Sequence, residues 1–112
     1  MAENIDDIKN LIKIYPKDVL LLTSLGKIYL NEHHNVEAIN TFKKVIEINP
    51  EYTVAYRFLG KALTAVNNLS GAEEIYIKGI KKAEKMGDLQ TKKEIEVFLK
   101  RIQKKRKEKS KS

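Results

Sequence analysis

Apolar positions in this chain fall at helical spacing, and the pattern they make returns 34 residues later. Leu25-Gly26-Lys27 recurs as Leu59-Gly60-Lys61, and Ala38, Phe42, Lys44 and Ile46 are followed at the same interval by Ala72, Tyr76, Lys78 and Ile80. One step earlier, Ile5, Lys9, Ile12, Ile14 and Pro16 precede Ile39, Lys43, Ile46, Ile48 and Pro50, so a partial third copy opens the chain. A period of this length belongs to stacked helix-turn-helix repeats. Breaks between the helices coincide with capping chemistry. Pro16-Lys17-Asp18 ends one helix and offers Asp18 as the next N-cap, and Pro50 closes another. Ser70-Gly71-Ala72-Glu73 has capping-box spacing, and Gly87-Asp88 reads as a left-handed stop followed by a new N-cap. The pattern predicts helices over 4–15, 19–32, 36–48, 53–67, 71–86 and 88–106.

Two glycines inside helical stretches need a reason, since each costs about 1 kcal/mol relative to alanine. Gly26 and Gly60 occupy the same place in successive repeats, which predicts close approach of paired helices, with the small Ala38 and Ala72 facing them. The alternative is a flexible hinge at each. In the last helix Ile95, Phe98, Leu99 and Ile102 form an apolar stripe. A stack of repeats must cover its open end, so this stripe is expected to act as a cap, with a dimer seam as the alternative.

These residues resemble the tetratricopeptide repeat (TPR) family. Residues 19–50 match its pattern with Leu22, Leu25, Gly26, Tyr29, Ala38, Phe42, Val45 and Pro50, and the next copy matches with Tyr56, Leu59, Gly60, Leu63, Ala72, Tyr76 and Gly79. Glu84 stands where the family usually has Pro, which predicts a second helix that runs on by a turn. The family's frequent Trp is replaced by Leu22 and Tyr56. The resemblance implies an all-α, TPR-like helical-hairpin solenoid, with a domain over 1–103 made of a half repeat (4–16), repeats at 19–52 and 53–86, and a C-terminal capping helix at 88–103. In length and layout the chain is similar to small stand-alone bacterial TPR proteins, which act as adaptors or scaffolds in protein–protein interaction.

Stacked TPR units curve, and in the family the first helix of each repeat lines the concave face. Carried over, the resemblance places Leu20, Thr23, Ser24, Lys27, Leu30 and Asn31 in the groove, joined by Val54, Arg57, Phe58, Lys61, Thr64 and Ala65. The candidate peptide-binding residues are therefore Thr23, Ser24, Lys27, Leu30, Asn31, Arg57, Phe58 and Lys61. Three cations converging above Phe58 and Leu30 suit an acidic peptide or one with a free C-terminal carboxylate. The carboxylate clamp of chaperone-binding TPR domains is not reproduced, because Thr23 and Lys27 stand where its first Lys and Asn belong, and Phe58 where the next Asn belongs. In the final helix a direct 34-residue offset turns Lys92 inward, while the apolar stripe suggests a shift that turns Lys93 and Glu96 inward.

Composition narrows the remaining possibilities. At 112 residues with 42% hydrophobic content the chain is one domain with a modest core. It has no Cys, hence no disulfide and no thiolate chemistry. The opening, 1–7, is acidic rather than signal-like, and the longest aliphatic run, 19–22, is far short of a membrane span, so a cytoplasmic protein is expected, monomeric or weakly homodimeric.

The net charge of +7 has one source: residues 1–99 hold 14 Lys/Arg and 14 Asp/Glu, whereas 100–112 hold eight Lys/Arg and only Glu108. The basic tail, 104–112, lacks apolar residues and is expected to be disordered. Lys104, Lys105, Arg106 and Lys107 are candidate nucleic-acid contacts, weak because no aromatic is interleaved for base stacking. His33 and His34 sit together in a turn without a nucleophile or helical His spacing, which argues against catalysis and against a metal site. Asn68-Leu69-Ser70 fits a turn and cap better than a glycosylation site, and with no Gly-rich phosphate loop no cofactor is expected.

Overall fold

Helix starts in this protein are set by side chains that accept orphan amide protons. In the computed structural model, which describes residues 4–111, Asn4 caps α1 (Ile5–Ile14) and Asp18 caps α2 (Val19–Asn31), taking the Leu20 and Leu21 amides at 2.9 and 3.1 Å. Then follow α3 (Asn35–Ile48), α4 (Thr53–Ala65), α5 (Leu69–Met86) and α6 (Leu89–Ser110). Asp88 caps α6 through the Thr91 amide, directly after Gly87 in the left-handed region at φ 71°. The described residues form six helices and no strands, an all-α helical solenoid. The acidic residues 1–3 and Ser112 lie outside the described residues.

Each helix packs on its chain neighbours, and α4 also touches α2 and α6. That is the contact pattern of hairpins stacked in one direction, and extents of 49 × 32 × 20 Å describe a flat stack rather than a ball. The main core joins α3, α4, α5 and α6 through Phe42, Tyr56, Leu59, Tyr76, Ile95 and Ile102. A smaller cluster of Leu22, Val45 and Ala55 ties α2 to α3 and α4. The apolar stripe of α6 does act as a cover: Ile95 and Ile102 are buried, with Phe98 and Leu99 packed against the same core.

Gly26 and Gly60 do mark close helix approach, but toward other partners than the small residues suggest. A Cβ on Gly26 would lie 2.5 Å from Cε1 of Phe42, and one on Gly60 would enter the Tyr76 ring. The missing side chains make room for aromatic rings on the paired helix rather than for Ala38 and Ala72, which are buried in the same core.

Two expectations are corrected. The cap of α5 is Asn68, whose Oδ1 accepts the Gly71 amide at 3.0 Å, not Ser70. Asn67 turns through φ 62° as His33 does one repeat earlier, so the helix begins two residues sooner and buries Leu69. Residues 104–110 are helical rather than disordered, and no boundary falls at 103/104. Arg106 is bonded to Glu73, and Lys109 donates to Asn67 at 3.0 Å, so contacts with the α4–α5 turn and α5 hold a segment that has no apolar anchor. The expected lengthening of the second repeat's last helix is present: α5 has 18 residues where α3 has 14, the connection after it is shorter, and the N-caps 52 and 88 are 36 apart where 18 and 52 are 34 apart. Glu84, replacing the helix-ending Pro, permits that extra turn.

Candidate functional site

Two stacked aromatic pairs join α3 to α4 and α5 to α6. Gly26 admits the fully buried Phe42 against α2, and Phe42 stacks on Phe58 of α4 with centroids 5.4 Å apart and planes 13° from parallel. Phe58 in turn holds Lys27 Nζ at 5.5 Å and the Arg57 guanidinium at 4.8 Å from its centroid. One repeat on, Gly60 admits Tyr76, and Tyr76 stacks on Phe98 of α6 at 6.0 Å and 19°. Phe98 holds Lys61 Nζ at 5.8 Å and the Arg101 guanidinium at 5.7 Å. Each unit thus runs from a glycine through two rings to two cations, one cation from each of two adjacent first-helices. Contacts of this kind are worth about 0.5–1 kcal/mol each at exposed sites and hold the cations in place rather than loose in solvent.

The second unit breaks the 34-residue rule, since Phe98 follows Phe58 by more than one period. The two-residue lengthening of the α4–α6 spacing also decides the register of the last helix. Lys92 reaches back to Glu84 of α5 at 3.8 Å, so it does not face the groove. Glu94 does face α4: Arg57 donates to its Oε2 at 2.7 Å. A carboxylate therefore sits in the third groove helix, where a clamp would need positive charge. Arg57 is largely neutralised by it, which leaves Lys27, Lys61 and Arg101 as the cations without an ion-pair partner among the described residues.

The other residues expected in the groove are distributed differently. Thr23 is buried, its hydroxyl donated to the Val19 carbonyl at 2.6 Å, and presents no polar group to a ligand. Ser24 is exposed but spends its hydroxyl on the Leu20 carbonyl at 2.9 Å. Leu30 is half-buried against the main core, and Asn31 is exposed at the end of α2. The structure gathers Lys27, Arg57, Phe58 and Lys61 with Glu94, Phe98 and Arg101. The last three were not legible as groove residues, Arg101 because it falls among the tail charges and Glu94 because the register of α6 hides it. The long α5 implied by Glu84 is the signal from which that register could be read.

Asp88 fixes α6 in this position. Its Oδ2 accepts the Thr53 hydroxyl at 2.7 Å, tying the start of α6 to the start of α4. That bond, with those from the Thr91 side chain and amide and the nearby Arg57 charge, holds the carboxyl below its usual range. Burial raises the Tyr56 and Tyr76 phenols, consistent with rings that serve packing. The histidines remain in the turn: His33 takes φ 62° and His34 Nδ1 lies 3.4 Å from Glu37. Among the described residues no group of three His, Asp or Glu could hold a metal ion, and no helix is long and apolar enough to cross a membrane.

This arrangement of hairpins has close counterparts. A TPR repeat-containing protein of Pseudomonas aeruginosa is 35% identical over 98 residues, covering 85% of this chain and 93% of its own. The solution structure of a Bordetella parapertussis protein is 28% identical, with a TM-score of 0.82 over 94% of this chain and 91% of that one. The first TPR of Spaghetti, bound to the HSP90 peptide SRMEEVD, superposes with a TM-score of 0.79 at 21% identity, over 89% of this chain and 75% of its own. The tetratricopeptide repeat family model matches residues 29–92, more than half the chain and the stretch that holds Phe42, Phe58, Gly60 and Tyr76. With its hairpin period, glycine-to-ring packing and relatives in agreement, the chain belongs to the tetratricopeptide repeat family.

Proposed function

We propose that this protein is a non-enzymatic, cytoplasmic interaction module that holds an acidic peptide, or one with a free C-terminal carboxylate, along its concave groove. The observation that carries this reading is the pair of ring-mounted cation sets, Lys27 and Arg57 on Phe58, and Lys61 and Arg101 on Phe98. Side chains already ordered on a ring lose less freedom when a carboxylate arrives, and each charge-assisted hydrogen bond is roughly twice as strong as a neutral one. Arg57 enters differently. A ligand carboxylate must compete with Glu94 for it, so the first unit binds mainly through Lys27. The peptide on the Spaghetti domain, SRMEEVD, is itself rich in carboxylates.

The test is titration with labelled acidic peptides carrying a free or an amidated C-terminus, against the parent protein and the Lys27→Glu, Lys61→Glu double variant. Both lysines are exposed, so helicity and melting should hold while binding falls at least tenfold. Chemical-shift changes confined to the convex face around Lys43, Lys44 and Lys78 would place the ligand elsewhere.

A second reading rests on the basic end of α6, which is a helix bearing exposed Lys104, Lys105 and Lys107. Such a helix supports a nucleic-acid or ribosome-associated accessory role through counterion release, with a slope of about −0.9 per phosphate neutralised on duplex DNA. Nucleic-acid affinity that survives deletion of 104–112, or that discriminates strongly between sequences, would remove this reading.

A further inference from the structure

The extension of α6 beyond α4 borders an open hollow beside the second ring-mounted cation set. A cavity of about 580 Å³ lies between the ends of α4 and α6, backed by Tyr76 of α5. Its apolar surface comes from Ala65, Phe98 and Ile102, and its rim carries Lys61, Arg101, Lys104 and Lys105 against one carboxylate, Glu108. Lys104 and Lys105 are exposed and have no ion-pair partner among the described residues. Their neighbours on the other face, Arg106 and Lys109, are bonded to Glu73 and Asn67. The helix is therefore pinned on one side, which keeps the basic rim over the cavity. Ordering the segment in this way turns a diffuse charge into a shaped one.

We infer that this cavity is an anchor site for a large aliphatic side chain of an acidic peptide, with flanking carboxylates on Lys61 and Arg101 on one side and on Lys104 and Lys105 on the other. The inference rests on the peptide-binding reading above and adds the partner's sequence character: an apolar residue between acidic ones, with no need of a chain terminus. An apolar floor ringed by four cations is complementary to such a segment in both shape and charge. A nucleic acid fits less well. Phe98 is already stacked on Tyr76 and carries two cations, so a base gains no bare aromatic face there.

The probes are acetylated, amidated pentapeptides with two glutamates on each side of a central leucine or a central alanine. Fluorescence polarisation at physiological salt should show the leucine peptide binding about tenfold tighter, from burial of the larger side chain. Its amide shifts should centre on Ala65, Phe98, Arg101 and Lys105. The Arg101→Glu, Lys105→Glu double variant should reduce affinity at least tenfold, and Lys43→Glu, at an exposed position on α3, less than twofold. Both positions of the double variant are exposed, and a melting curve matching the parent verifies the fold. Should that variant melt early, Arg101→Gln with Lys105→Gln gives the same reading with no charge reversal. Equal binding of the two peptides, no binding of either, an equal loss caused by Lys43→Glu, or equal competition by an oligodeoxythymidine of matched charge would each overturn the anchor site. If the pocket shifts appear while Lys27→Glu leaves free-carboxylate peptides untouched, the anchor stands and the groove assignment fails alone.

Discussion

Gly26→Val tests the packing relay on which the first cation set is mounted. An added Cβ would sit 2.5, 2.6 and 3.0 Å from three ring carbons of Phe42, where ordinary carbon contacts are about 3.5–4.0 Å. The ring has nowhere to retreat, being fully buried and stacked on Phe58. Overpacking of this kind costs about 1–3 kcal/mol. Replacing glycine within a helix returns only about 0.3–0.5 kcal/mol when the new residue is β-branched. The net loss is therefore about 0.5–2.7 kcal/mol, or a fall in melting temperature of about 2–11 °C for a domain of this size. Thermal melting followed by far-ultraviolet circular dichroism measures it directly. The cycle is completed in a Phe42→Leu background, where the ring is gone and the same valine should cost little, so the two changes couple by about 1 kcal/mol or more. Since Phe58 rests on Phe42, Gly26→Val should also weaken acidic-peptide binding without touching the ligand. Unchanged melting, or an equal loss in both backgrounds, would refute the reasoning.

Asp88→Ala removes both the α6 cap and the Thr53 bond and should cost about 0.5–2 kcal/mol in chemical denaturation. Because the folded state holds this carboxyl below its ordinary value of 3.8, its contribution is complete above that pH and fades as pH falls through the lower folded-state value; the gap between parent and variant should close in acid, and a gap that widens would contradict the assignment. His33→Gly should raise stability by about 0.5–1 kcal/mol by removing left-handed strain at φ 62°, measured as a higher denaturation midpoint. Glu94→Gln frees Arg57 and should tighten acidic-peptide binding severalfold at low salt, whereas weaker binding would mean that Glu94 positions Arg57 for the ligand. Arg106→Ala should lower hydrogen-exchange protection over 103–110 while leaving α4 unchanged, because its bond to Glu73 helps hold the end of α6.

The fold was legible because it is periodic: one interval places Gly26 and Gly60, Phe42 and Tyr76, and the caps at Asp18 and Asp88 follow from local hydrogen-bond chemistry. What the interval does not contain is distance across helices. Ala38 and Ala72 were natural partners for the glycines by size, yet large rings fill the space that the glycines leave. Nor does a local capping rule weigh burial of Leu69 against the better-spaced Ser70. Where the period holds, the relative placement of the candidate residues could be read from it. Lys27, Arg57, Phe58 and Lys61 come together, while Thr23 turns into the core. Past Glu84 the interval stretches, and Glu94, Phe98 and Arg101 become visible only once α6 is docked. Composition likewise misjudged 104–110, because tertiary bonds to Glu73 and Asn67 supply what an all-polar segment lacks.

The unequal anchoring of the two ends bears on how the chain acquires its structure. Among the described residues α1 packs on α2 alone and buries only Ile8, whereas α6 grips both α5 and α4, with Thr53–Asp88 and Arg57–Glu94 as cross-links. In a linear stack each unit is stabilised by its neighbours, so free energies of local opening rise from the first helix toward the last three. The most protected foldon is then expected to be α4–α5–α6, with hydrogen-exchange protection falling backward along the chain toward α1. Helices that leave the ribosome early stay labile until those made later provide the template on which they dock, and α1 is the first to be surrendered when the molecule is stretched or warmed.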